Sequence, residues 1–142
     1  MKSRFDPQGS FKICSNGTDS DIESHRRKEQ HILRKWLFDG KDVESCAICK
    51  NEFSVSSLVT AHKKKRSKCS FNERIDPNIV MPLCKFGCDH LYEIEALKIK
   101  NNIVISNSKL VQTVFEQSYI NSVSDRTIKS KWLEGESGYF SQ

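Results

Sequence analysis

The sequence lacks any apolar run near the roughly 20 residues that a membrane-spanning helix requires, which argues against a membrane protein. Its first residues, from Met1 to Gly9, contain no apolar signal-peptide core, and the chain has no internal repeat. We therefore expect a cytoplasmic protein whose thiols stay reduced. Its six cysteines are then interpreted as metal ligands or free thiols rather than as disulfides.

What is present is a small, basic chain. Its 142 residues, of which 37% are hydrophobic and 29% charged, suffice for one domain with a modest core. A structural metal commonly supplements a core of that size. The net charge of +5 favours polyanionic partners such as nucleic acid, although many basic proteins bind nothing acidic.

The hydrophobic pattern predicts a mixed α+β fold with helices at both ends. The predicted elements are a helix from about Asp21 to Phe38, a strand ending near His62, a short strand from Ile79 to Leu83, a short helix between Lys85 and Glu95, a hairpin around Asn101 and Asn102, and a helix from Ser108 to about Tyr119. The side chains expected to be buried by the two terminal helices are Ile32, Leu33, Trp36 and Leu37, then Leu110, Val111, Val114 and Phe115. The segments are a polar tail (1–20), a basic helix (21–45), a core (46–107) and a C-terminal helix with a basic, aromatic tail (108–142).

Four of the cysteines form two short arms, Cys46 with Cys49 and Cys84 with Cys88. Paired cysteines on two turns supply the four thiolates of a tetrahedral structural Zn²⁺ site, and we expect all four to be ligands. Two alternatives are reduced cysteines buried in the core and a redox Cys-x-x-Cys pair. The redox alternative is weakened by the absence of a thioredoxin-like βαβ pattern.

Several residues that could act in catalysis or metal binding follow the first arm, in a characteristic order. His62 ends the predicted strand, the loop contains Glu73-Arg74 and Asp76-Pro77-Asn78, and the second arm leads into Asp89-His90-Leu91-Tyr92-Glu93. In this order the segment from about residue 46 to 105 resembles the HNH nuclease family, most closely its restriction-type members. The resemblance implies a small, zinc-stapled ββα-metal core.

The resemblance also implies the role of each site residue. His62 would be the general base, which suits an imidazole, and its basic neighbours are expected to favour the neutral ring. Asn78 would fix the loop or touch the catalytic ion, Mg²⁺ or Mn²⁺. Asp89 stands where the family usually has its helix ligand, and His90 beside it remains an alternative. A turn asparagine and a helix-start aspartate are the structural alternatives.

Three features depart from the family pattern, and one is that the position often filled by a helix histidine holds Asp89, with His90 next to it. Many members have Asp or His directly before the catalytic histidine as a second metal ligand, whereas this chain has Ala61. The spacer between Cys84 and Cys88 is three residues, one more than in the first arm. The ligand missing at Ala61 predicts weak binding of the catalytic ion, and the wider spacer could shift the following helix by one residue.

A basic run beside His62 and the basic first helix are suited to phosphate contacts, the alternative being solvated charge. The DNA-binding residues predicted on this basis are Lys63, Lys64, Lys65, Arg66 and Lys68 in the loop, and Arg26, Arg27 and Arg34 in the helix.

The sequence is accordingly interpreted as a metal-dependent, restriction-like endonuclease acting on double-stranded DNA. The alternative is a zinc-stabilised nucleic-acid-binding module without catalysis. Because one ββα-metal unit cuts one strand, a double-strand cut implies a homodimer or repeated nicking. Trp132, Tyr139 and Phe140 are either dimer contacts or core residues.

Overall fold

A computed structural model describes residues 19–135 and 137–140 of the chain. The predicted N-terminal tail therefore lies almost entirely outside the described residues. The helices and strands, numbered in chain order, are α1 (Asp19–Leu37), β1 (Val43–Ser45), β2 (Glu52–Ser54), β3 (Leu58–His62), α2 (Phe71–Arg74), β4 (Val80–Cys84), α3 (Cys88–Glu93), β5 (Leu97–Lys100), β6 (Ile103–Ser106) and α4 (Val114–Val123).

The described strands form three antiparallel pairs, β1 with β2, β3 with β4, and β5 with β6. The central pair is aligned so that Leu58 lies opposite Cys84 and His62 opposite Val80. Helix α3 begins four residues after the last residue of β4, so the paired strands β3 and β4 are followed by a helix, with the short α2 in the loop between the two strands. Together these elements confirm the predicted α+β class.

The first helix confirms its prediction in length but not in its full apolar stripe. Leu33 is buried, whereas Trp36 is 50% exposed. The guanidinium of Arg34 donates hydrogen bonds to the carbonyls of Val55 and Leu58, both at 3.0 Å. Arg34 therefore ties α1 to the segment that leads into β3, and its donors are engaged within the fold.

The last helix begins later than predicted. Its N-terminus is a capping box in which the hydroxyl of Thr113 accepts from the backbone of Glu116 and the Glu116 carboxylate accepts from Thr113. This cap shifts the helix to Val114–Val123. As a result Val114 and Phe115 are 86% and 77% exposed, contrary to the prediction, and Ile120 and Val123 are the buried residues of this helix.

The loop after His62, predicted to be long and polar, contains local structure. Ser70 and Glu73 form a capping box at the start of α2. The buried carboxylate of Glu29 on α1 pairs with Arg66 at 2.8 Å and with Arg74 at 3.2 Å. The loop is therefore held against α1 by a buried acid.

The remaining elements close the core. The β5–β6 hairpin was predicted and is confirmed, with Asn101 and Asn102 at positive φ angles of 52° and 66° in its turn. Trp132 and Tyr139 are both buried, which favours the core interpretation of these aromatic residues over dimer contacts. Within the described part of the chain, every helix is too short or too polar to cross a membrane.

Candidate metal centre and cleft

Four cysteines lie together at one end of the β3–β4 pair. The sulfur atoms of Cys46, Cys49, Cys84 and Cys88 all lie within 4.8 Å of one another, and all four residues are buried. The first arm is fixed by its backbone, because the amide of Ala47 donates to the carbonyl of Pro82 in β4 at 2.8 Å. The predicted grouping of the two arms is thereby confirmed.

This donor set fits a structural zinc ion. A tetrahedral zinc with Zn–S bonds of about 2.3 Å separates its sulfurs by roughly 3.8 Å, within the range of the cluster. The described cysteines are free thiols rather than disulfides. Hydrogen bonds among the four sulfurs couple the thiols: they lower the pKa of Cys49 and Cys84 and raise the pKa of Cys46 and Cys88.

A tyrosine hydroxyl from α4 lies against the second arm. The oxygen of Tyr119 is 3.2 Å from the sulfur of Cys88 and 3.6 Å from that of Cys84. The close approach requires Gly87, since a Cβ there would lie 2.6 Å from the Tyr119 ring. Burial raises the pKa of Tyr119, so the hydroxyl stays protonated and is able to donate to metal-bound thiolates.

We expect Tyr119→Phe to speed the loss of zinc, because two thiolates lose a hydrogen-bond donor. Ligand-supporting contacts of this kind are typically worth on the order of 10- to 100-fold in metal affinity. The rate of zinc transfer to a chromophoric chelator measures the effect. Tyr92→Phe is the matched control, since the Tyr92 hydroxyl bonds the carbonyl of Lys63 instead. Equal transfer rates in the two variants would contradict the assigned contact.

His62 lies at the other end of β3 from the cysteines. It is four residues from Leu58, the strand partner of Cys84, which corresponds to about 13 Å of strand. An ion held by the four cysteines would therefore be too far away to touch the His62 ring. A hydrolytic ion at His62 would be a separate one.

The His62 ring is largely enclosed. Its Nε2 atom is buried with no hydrogen-bond partner among the described residues. Burial, and secondarily the charge of Arg66, lower the pKa of His62 to about 4. The ring is therefore neutral at pH 7, as predicted. The main cause is desolvation and not the neighbouring lysines.

A cleft of about 1240 Å³ brings His62 and Asp89 to one surface. It is lined by residues of α1, β3 with the following loop, α3, and the β5–β6 hairpin. Burial, followed by the charge of Glu93, raises the pKa of Asp89. Glu93, one helical turn beyond Asp89 on α3, lines the same cleft.

Two predicted catalytic residues lie away from the residues that line the cleft. His90 is exposed and is not among the residues that line the cleft. Asn78 belongs to a turn capped by Asp76, whose carboxylate also accepts a hydrogen bond from Tyr139. The carbonyl of the next residue, Ile79, accepts a hydrogen bond from the backbone amide of Lys63 at 2.7 Å.

The cleft separates the predicted DNA-binding residues into two groups. Those that line it are Arg26, Lys65, Arg66 and Lys68. Those that do not line it are Arg27, Arg34, Lys63 and Lys64. Arg27 pairs with Glu23, and Lys64 pairs with Glu73. The guanidinium of Arg34 donates hydrogen bonds to two backbone carbonyls.

The position of Lys63 corrects its predicted role. The residue is 1% exposed, its ammonium donates to the carbonyl of Glu134 at 3.3 Å, and it lies over the Phe140 ring. Burial lowers the pKa of Lys63 to about 8. Its side chain therefore supports the fold beneath His62 and is not presented to a phosphate.

Sequence reasoning missed several residues of the site. Tyr119 and Tyr92 make two of the hydrogen bonds described above, and Glu93, Lys98 and Lys100 line the cleft; none of these five was assigned a role from the sequence. Tyr92 and Glu93 belong to the segment that carries the family resemblance, and Glu93 also follows Asp89 by four residues and therefore shares its helix face.

Comparison with known proteins leaves the family open, since no family model matches the chain and no curated protein matches it either.

Proposed function

We propose that this chain is a metal-dependent DNA endonuclease of the HNH type, acting in the manner of a restriction enzyme. Its ββα unit would be β3, β4 and α3, stapled by a zinc ion on the four cysteines. The observation that carries the proposal is the shared cleft: a neutral histidine and a half-buried carboxylate line one basic surface.

His62 would serve as the general base. Its pKa of about 4 keeps the imidazole neutral at physiological pH, so it is able to accept a proton from the attacking water. Because Nε2 is buried, Nδ1 is the nitrogen that would take the proton. The turn that contains Asn78 would hold the strand end in place through the bond between Lys63 and Ile79.

Asp89, with Glu93 beside it, would hold the divalent cation. One or two carboxylates suit Mg²⁺, which keeps the rest of its shell as water and phosphate oxygens. When bound, the ion would supply charge stabilisation to the phosphate and the leaving oxygen. The raised pKa of Asp89 supports this assignment, since a buried, like-charged carboxylate gains from a nearby cation.

A second candidate function is a zinc-stabilised nucleic-acid-binding module without catalysis. Among the described residues, the only close group of three or more candidate metal ligands is the cysteine cluster, and none surrounds His62. Ala61 stands where many HNH enzymes have a further ligand. This shortage of ligands is the specific observation in favour of the binding module.

The test compares Asp89→Asn with His90→Gln in nicking of supercoiled plasmid with Mg²⁺ or Mn²⁺. We expect wild type to nick, and Asp89→Asn to be slower by a factor on the order of 100, because it removes the anionic ligand while keeping the shape. His90→Gln should keep wild-type activity, since His90 does not line the cleft.

The outcomes separate the two functions. Nicking that is lost with a chelator and with Asp89→Asn supports the endonuclease. Nicking that depends on His90 instead would indicate that the ion binds on the other side of α3. Binding of DNA without nicking under any of these metals would favour the binding module.

A further inference from the structure

We propose that the β5–β6 hairpin is a DNA-backbone-binding element of the cleft, with Lys98 and Lys100 as its phosphate contacts. The inference rests on the proposed function and adds a contact surface that neither the motif nor the basic run near His62 contains. It is carried by the placement, exposure and pairing of these two lysines.

The strand pattern places both lysines on one face. Leu97 and Ile99 are buried, whereas Lys98 and Lys100 are exposed, as expected from the period of two along a strand. Both lysines line the same cleft as His62 and Asp89. Their two-residue spacing lets the two ammonium groups reach successive phosphates of one DNA strand.

The turn of the hairpin presents these side chains on a rigid support. Asn101 and Asn102 both have left-handed backbone angles, as in the tight turns that match the twist of paired strands. Both residues are exposed and line the cleft, and β5 pairs with β6 along four residue pairs. A contact made through this hairpin requires little ordering on binding.

Ion pairing leaves Lys100 available. Most cations of the cleft are engaged: Arg66 pairs with Glu29, while Lys65 and Lys98 approach Glu95 at 3.5 and 3.8 Å. Among the described residues, the side chains of Lys68 and Lys100 have no acidic partner. The pairs with Glu95 are solvent-exposed and therefore weak, so a phosphate can displace them.

Duplex DNA is the occupant that this arrangement favours. The two unpaired lysines come from separate elements, the loop after β3 and the hairpin, and the cleft between these segments also contains His62. A backbone held at both points would pass the proposed catalytic residues.

The experiment measures binding of a fluorescent DNA duplex by anisotropy across a salt series, with no added divalent cation so that cleavage does not interfere. We expect Lys98→Ala/Lys100→Ala to weaken binding at low salt about tenfold or more and to reduce the slope of log K against log salt by about 1.8, two phosphate contacts' worth. Lys98→Arg/Lys100→Arg should retain wild-type binding because it keeps both charges.

The matched control is Lys85→Ala/Lys109→Ala, which removes two exposed lysines that do not line the cleft. Equal losses in the control and hairpin pairs, or no loss in the hairpin pair, would overturn the hairpin contact while leaving the nuclease proposal intact. Absence of salt-dependent duplex binding by the wild type would overturn both the hairpin contact and the proposed function.

Discussion

Replacing Cys84 with serine should unfold the protein at temperatures where the wild type is folded. The residue is completely buried and supplies one of four clustered sulfurs. Structural zinc sites contribute roughly 10–16 kcal/mol in zinc-finger peptides, comparable with the entire 5–15 kcal/mol that stabilises an ordinary domain. Thermal unfolding followed by circular dichroism, together with the zinc content of the purified protein, measures the effect.

The same loss should follow treatment with a strong chelator, or acidification that protonates the thiolates. Cys69→Ser is the matched control, because this half-buried cysteine lies outside the cluster and its thiol bonds the carbonyls of Lys64 and Lys65. We expect it to unfold near the wild-type temperature with its zinc retained. A Cys84→Ser protein that keeps both wild-type zinc content and wild-type melting would refute the assignment of the staple.

Substituting His62 with alanine should lower the rate of DNA nicking by roughly 10²- to 10⁴-fold, the usual contribution of a general base. The variant is measured on supercoiled plasmid with Mg²⁺, beside His31→Ala. His31 is an exposed histidine of α1 that does not line the cleft, so its loss should leave the rate unchanged. Wild-type nicking by the His62 variant would remove this residue from the active site.

The pH dependence gives a second readout for His62. With a pKa of about 4, the ring is neutral above pH 5, so the acid limb of the nicking rate should lie near pH 4 instead of near pH 6.5. The folded state binds fewer protons than the unfolded state between these values. His62 should therefore lower stability as pH falls from 6.5 towards 4, and His62→Ala should lose that part of the acid sensitivity.

The loop that contains the basic run is held by ion pairs with Glu29, which no sequence motif predicts. Glu29 is 2% exposed and pairs with Arg66 and Arg74, which are far from it in sequence. A buried acid of this kind orients the two arginines and offsets one of their two positive charges. Arg66 therefore lines the cleft while its guanidinium is paired with the buried carboxylate of Glu29.

Features governed by near neighbours were predictable from the sequence alone. The cysteine spacings predicted the four-sulfur cluster, the periodicity of residues 21–38 predicted α1, and Asn101-Asn102 predicted the β5–β6 turn. In each case the determining interactions lie within a few residues, or depend on a ligand geometry that the spacing itself encodes. The order of His62 and Asp89 along the chain was also read from the sequence, and it is the basis for the proposed nuclease function.

Only the tertiary structure decided how the basic and apolar side chains are used. Lys63 and Arg34 were predicted to contact phosphates, but their side chains donate hydrogen bonds to backbone carbonyls. Lys98 and Lys100 were not predicted as site residues, and both line the cleft. Trp36, predicted to be buried, remains half exposed. Such outcomes depend on which distant segment offers a hydrogen-bond acceptor or an apolar surface, and local sequence contains no record of that competition.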